Sequence, residues 1–175
     1  MSQTSPEPIP EVGAPAPLFS TRNQFGQPIS LTESRGAPTV LIFYPYAFSS
    51  ICTGELRGVR DHRQRLSDLG VRVLAISCDP MFALRAYAEA EELPFDLLTD
   101  HWPHGSIARA YGIFDDQRGC ALRGTFLLDA DGVVRWRVVN GIGQARDLDE
   151  LLNALTGAEF CDVPVSPDKP QRSVR

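Results

Sequence analysis

Residues 39–77 read TVLIFYPYAFSSICTGELRGVRDHRQRLSDLGVRVLAIS, and the order of patterns within them decides the fold. Thr39 to Pro45 (TVLIFYP) and Val71 to Ser77 (VRVLAIS) are short runs dense in β-branched and aromatic side chains, as expected of strands buried on both faces. Between them Ile51, Cys52, Leu56, Val59, Leu66 and Leu69 follow a three- and four-residue period, and Gly70 supplies a stop. That spacing predicts one long helix with Cys52 on its inward stripe. A strand, a helix and a second strand in this order make a right-handed crossover, so the two strands point the same way. The turn after Pro45 then lies at the carboxyl edge of a sheet, where open α/β folds place their sites.

The alternation continues outward. Phe95 to Thr99 (FDLLT) reads as a further buried strand, and Met81 to Glu92, Ser106 to Gly112 and Asp147 to Leu155 carry helical periods. Gly124 to Asn140 (GTFLLDADGVVRWRVVN) holds Asp131-Gly132 between two strand-like runs, a hairpin signal because glycine readily takes positive φ. A second hairpin is expected around Gln24 to Pro28. Strands alternating with helices, without internal repeats or low-complexity blocks, imply an α/β fold. A chain of 175 residues, 43% of them hydrophobic, supports one substantial core. Pro6, Pro8 and Pro10 near the start and Pro164, Pro167 and Pro170 near the end oppose regular structure, so residues 1–10 and 158–175 read as flexible tails around a domain spanning 11–157.

Composition removes several classes of function. Seventeen basic residues against 22 acidic ones leave a formal charge of −5, which argues against nucleic acid or an anionic membrane surface as a partner. No stretch approaches the ~20 apolar residues that cross a bilayer. The start, MSQTSPEPIPEVG, lacks the basic-then-apolar order of a secretory signal, so a cytoplasmic location is expected. Neither G-x-G-x-x-G nor a Walker loop is present, and no nucleotide cofactor is expected. His101 and His104, beside Trp102, and Cys120 raise the alternative of a metal-binding module. Two histidines three apart in a proline-containing loop are not a standard ligand pair, so no metal is expected.

The four cysteines, at 52, 78, 120 and 161, form no C-x-x-C pair. In a reducing compartment they are free thiols at rest, and any function they have is chemical. Cys52 has the distinctive setting. Ser49 and Ser50 are both good N-caps, and either places Cys52 in the first helical turn, where backbone N–H groups are unpaired and the dipole is positive. An ordinary thiol, with a pKa of ~8.5, is mostly protonated at neutral pH, and only the anion attacks. A helix N-terminus favours that anion, and a cation from elsewhere in the chain would favour it further. The bland alternative is a core cysteine on an amphipathic helix. Dithiol–disulfide exchange of the thioredoxin type cannot start here, because the position three before Cys52 is Ser49.

PYAFSSIC, followed by Thr53, Gly54 and Glu55, resembles the peroxiredoxin signature P-x-x-x-[TS]-x-x-C-x-x-E, with Pro45, Ser49, Cys52 and Glu55 in its fixed places. Gly13 to Phe19 (GAPAPLF) resembles the family's opening G-x-x-A-P-x-F, and Arg123-Gly124-Thr125-Phe126 resembles its R-[GS]-T-F element. The PYAFSSIC form, together with Leu98 to Gly105 and its Asp-His-Trp-Pro-His-Gly run, is similar to the alkyl hydroperoxide reductase E group, often one-cysteine enzymes. The resemblance runs from about Val12 to Leu155. It implies a thioredoxin-like fold, with a central mixed β-sheet flanked by helices and an N-terminal β-hairpin. It also implies a thiol peroxidase in which Cys52 is the nucleophile, Ser49 hydrogen-bonds the hydroperoxide and Pro45 shields the sulfur from water. Arg123 would be the cation and Glu55 its supporting acid. An arginine stays charged at any relevant pH and can stabilise charge on a departing oxygen.

Oxidation would leave a sulfenic acid at Cys52, and its resolution is open. Cys161 lies in Glu159 to Pro164, which resembles the C-terminal resolving segment of two-cysteine peroxiredoxins; such a bond would cross a homodimer. Cys120 stands three residues before Arg123, and Cys78 ends a central strand, a core position. An external low-molecular-weight thiol, or a thioredoxin- or glutaredoxin-like reductant, is the other route. These extra cysteines depart from the one-cysteine pattern. Five positions after Cys52 stands Arg57, which removes one common intrachain arrangement.

Overall fold

The structure, a computed structural model, describes residues 7–157. Cys161 and the rest of 158–175 lie outside the described residues. Strands β1 (Ser20–Asn23) and β2 (Pro28–Ser30) form the early hairpin, and a 3-10 turn (Leu31–Ser34) leads to β3 (Thr39–Phe43). Helices α1 (Ser50–Asp61) and α2 (Arg63–Asp68) precede β4 (Arg72–Ser77), followed by α3 (Met81–Ala90), β5 (Asp96–Thr99) and α4 (Ser106–Ala110). Two short strands, β6 (Phe114–Asp115) and β7 (Cys120–Ala121), precede the hairpin of β8 (Arg123–Leu128) and β9 (Val134–Asn140), and α5 (Leu148–Thr156) closes the domain. Apart from the helix after β3, every expected element is present, with ends displaced by one or two residues; β6 and β7 had no signal in the sequence.

Seven strands form one sheet in the order β2-β1-β5-β4-β3-β8-β9. The central three, β5, β4 and β3, are parallel, as the crossover requires, and the flanking pairs run antiparallel. Alternation along β3 explains the two-sided core. Val40 and Ile42 join Leu56, Val59, Leu84 and Leu151 on one face, whereas Leu41 and Phe43 join Ile107, Tyr111 and Phe126 on the other. All five β3 residues are buried, so truncating Ile42 to alanine would cost about 2–5 kcal/mol.

The single long helix expected between Ile51 and Leu69 is instead two helices. The break falls at His62 (φ −96°, ψ 8°), whose ring Nδ1 lies 2.9 Å from the Gly58 carbonyl while its N–H is shared between Gly58 and Val59. Side chain and backbone compete for one acceptor, and the ladder shifts there. The buried stripe survives because Val59 and Leu66 stand seven residues apart, two helical turns. It is shorter than expected: Ile51 is half-buried, and Leu69 is exposed where the chain turns at Gly70 (φ 65°). At the start, residues 7–10, read from sequence as part of a tail, lie on the domain. Arg137 Nη1 donates to the Ile9 carbonyl at 2.9 Å, and a Cβ at Gly112 would clash with the Glu7 carbonyl oxygen.

The register places the chemistry. Ile42 pairs with Thr125 in the antiparallel β3–β8 ladder, so Arg123 falls beside the segment that leaves β3 and turns into α1. Residues 71 apart in sequence meet at that carboxyl edge.

Candidate active site

Of the two serines that could cap α1, Ser49 does so: its φ and ψ are extended (−70°, 145°), and its Oγ accepts from the Cys52 N–H at 3.4 Å. Cys52 is therefore in the first turn of a 12-residue helix and fully buried. The helix N-terminus directs partial positive charge at its sulfur. Pro45, also buried, ends the run from β3 and has no N–H to leave unpaired beside it.

Arg123, the first residue of β8, is 2% exposed and divides its donors among three acceptors. Nη1 lies 3.3 Å from Cys52 Sγ and 2.6 Å from Glu55 Oε2, and Nε donates to the Ile142 carbonyl at 2.7 Å. Glu55, one turn after Cys52, has a side chain only 4% exposed and uses both oxygens. Its Oε1 accepts from the Arg146 N–H at 2.8 Å and lies 3.2 Å from Arg146 Nε. Pro45, Ser49, Cys52, Glu55 and Arg123 are thus brought to one end of the sheet.

Arg146 escaped the sequence reading. Its buried guanidinium donates from Nη2 to the Phe43 carbonyl at 2.6 Å, while Nη1 has no hydrogen-bond partner among the described residues. Burial pushes its pKa below the ordinary guanidinium value, and Glu55 opposes that shift. A lone arginine in the polar segment before α5 carries no periodicity to mark it. Two guanidiniums face one carboxylate here, an excess of one positive charge in a buried pocket, with Cys52 Sγ beside the Arg123 guanidinium.

The aromatic wall is protonated at neutral pH. Burial raises Tyr44 well above the usual phenol value and pushes Tyr87 up to about 12, and the Tyr87 hydroxyl lies 3.0 Å from Thr53 Oγ1. Phe48 holds φ at +64°, costly for a side chain of its size, with its ring centroid 4.9 Å from that of Tyr87. Cys78 and Cys120 are buried free thiols; burial, followed by the Asp100 charge, pushes Cys78 up to about 12, and burial likewise raises Cys120. His104 faces the Gly119 carbonyl at 2.7 Å and His101 the Cys78 carbonyl at 3.3 Å. No cluster of three or more metal-ligating side chains occurs among the described residues.

A single sulfur faced by a fixed cation, with serine where a second thiol would be needed for exchange, is suited to nucleophilic attack on an oxidant. The class so defined is that of the thiol-dependent peroxidases of thioredoxin-like fold. The AhpC/TSA family pattern matches residues 12–137. Alkyl hydroperoxide reductase E of Mycobacterium tuberculosis (strain ATCC 25618 / H37Rv) is 42% identical over 137 residues, covering 78% of this chain and 90% of that protein. Among solved structures, Enterococcus faecalis AhpC superposes with a TM-score of 0.79 at 26% identity, over 87% of this chain and 94% of that one. Peroxidoxin BcpB from Mycobacterium tuberculosis gives 0.75 at 27% identity, over 83% and 96%. The chain belongs to the AhpC/TSA family, the peroxiredoxins.

Proposed function

We propose that the Cys52 thiolate attacks one oxygen of hydrogen peroxide or an organic hydroperoxide. The O–O bond breaks, the second oxygen leaves with a proton as water or an alcohol, and Cys52 becomes a sulfenic acid. The observation that carries this reading is the 3.3 Å contact between Arg123 Nη1 and Cys52 Sγ in a fully buried setting. Arg123 stabilises the anion and then the charge developing on the departing oxygen. Glu55 holds that guanidinium in place. Ser49 keeps its hydroxyl proton free while its oxygen caps α1, so it can donate to the incoming peroxide. Pro45 contributes apolar cover against water.

For the return step, burial that raises Cys78 and Cys120 makes both slow nucleophiles. That favours Cys161 or an external thiol, thioredoxin-like or glutaredoxin-like, as reductant. A homodimer in the cytoplasm completes the reading, supported by aromatic side chains left in solvent, with Phe82 76% and Trp102 86% exposed. No helix among the described residues is long and apolar enough to cross a membrane.

Intact-mass spectrometry after one equivalent of hydrogen peroxide tests the proposal. A gain of about 16 Da marks a sulfenic acid and a loss of about 2 Da a disulfide. Cys52→Ser should show neither and should consume no peroxide; retained consumption refutes the assignment. Cys161→Ser should still form the sulfenic acid, and if it also recycles normally with every reductant tried, Cys161 is not the resolving thiol.

A further inference from the structure

Between the end of β3 and the N-cap of α1, five residues (44–48) turn the chain into the first helical turn. Their backbone is thinly held. Tyr44 N–H donates to the Ile76 carbonyl at 3.0 Å, and Ser49 N–H reaches the Tyr46 carbonyl only at 3.5 Å. In the middle, the Ala47 N–H donates to Asp79 Oδ2 at 2.9 Å. Asp79 follows the end of β4 and is itself fixed: the same oxygen accepts from Ser77 Oγ at 2.8 Å, and its carbonyl accepts from Thr99 Oγ1 at 2.8 Å. The next residue after Ala47 is Phe48, whose positive φ must be imposed by its surroundings, and the one after that is Ser49. One carboxylate therefore tethers the strained turn to the rigid end of the central sheet.

We infer that Asp79 is a positioning residue for the peroxide reaction, fixing the turn that sets Ser49 and the first turn of α1 against the incoming hydroperoxide. The inference rests on Cys52 being the attacking sulfur. Asp79 touches neither the sulfur nor the substrate in this scheme. Without the tether the Ala47 N–H loses its acceptor, the Phe48 conformation relaxes, and Ser49 moves relative to Sγ. A displacement of about 1 Å in a reacting geometry costs on the order of 10²-fold in rate.

The test compares two reactions of the same thiol, peroxide oxidation followed by stopped flow and alkylation by iodoacetamide, in Asp79→Ala, Asp79→Asn and the parent protein. Alkylation needs the sulfur but not the Ser49 geometry. Asp79→Ala should therefore lose about 30- to 100-fold in the second-order rate constant for hydrogen peroxide, with alkylation changed by less than about threefold. Asp79→Asn, whose amide oxygen can still accept from Ala47, should restore the peroxide rate to within about fivefold of the parent. Asp79→Ser, polar but too short to reach Ala47, carries the same expectation as alanine if the alanine variant does not fold. A peroxide rate unchanged in Asp79→Ala or Asp79→Ser, or peroxide and alkylation rates falling together, overturns the positioning role. Peroxide consumption persisting in Cys52→Ser would instead overturn the assignment of the sulfur, so the two failures are distinct.

Discussion

Replacing Arg123 with methionine keeps most of the buried stem and removes the charge that faces the sulfur. At 3.3 Å and an effective dielectric of about 20, a full charge pair is worth ~5 kcal/mol. That is an upper bound for the anion, because Glu55 Oε2 shares the same Nη1 at 2.6 Å. Losing one fixed donor to developing charge costs about 3–4 kcal/mol, or 10²- to 10³-fold, and that is the expected fall in the second-order rate constant with hydrogen peroxide. Arg123→Lys should fall less, about 10- to 100-fold, since a single ammonium retains charge but cannot span Sγ, Glu55 and the Ile142 carbonyl together. The assay is stopped-flow fluorescence of reduced protein mixed with excess peroxide, with Trp136, packed against the cluster that contains Cys52, as reporter. Because Arg123→Met leaves Glu55 with only Arg146, thermal melts must accompany the kinetics. A folded methionine variant reacting within threefold of the parent would refute the claim that this guanidinium acts on the sulfur.

Two further outcomes follow from the electrostatics. With its thiol pushed up to about 12 by burial and then by Asp100, Cys78 should alkylate about 10³-fold more slowly in native than in unfolded protein at pH 8, rising tenfold per pH unit, as read by peptide mapping; equal rates would contradict it. Asp129 accepts from the Val133 and Asp131 N–H groups and from Arg135 Nε, which together outweigh burial and hold its carboxyl below the usual value. Asp129→Ala should cost about 1–3 kcal/mol at neutral pH. Because the folded pKa is depressed, the stabilisation is complete above the unfolded value of ~3.9 and fades as pH falls through the folded one. Parent and variant should therefore converge in denaturant melts near pH 2, and a constant gap would exclude the carboxylate as its source.

The residues that were legible in sequence share one property: their signal is local. Strand runs, helical period and the serine caps are set by neighbours a few positions apart, so β3, β4, the first turn of α1 and the inward place of Cys52 could be read directly. Resemblance then marked Arg123 and Glu55, which the fold brings to Cys52 and to each other. What stayed hidden depends on long-range geometry or on competition for one acceptor. The break at His62 turns on whether a ring or a backbone N–H takes the Gly58 carbonyl, and no period reports that.

Arg146 and Asp79 are the clearest cases. Each is one charged residue in an unpatterned stretch, indistinguishable in sequence from a solvated surface group. The β3–β8 register and the packing of the segment before α5 bury Arg146 against Glu55 and Phe43, and the parallel β3–β4 pairing delivers Asp79 to the Ala47 N–H. By itself the sequence determined which elements form and which sulfur sits at a helix N-terminus, because those follow from local sterics and periodicity. Only the tertiary structure decided which charges surround that sulfur, since burial turns an ordinary arginine into a fixed electrostatic partner.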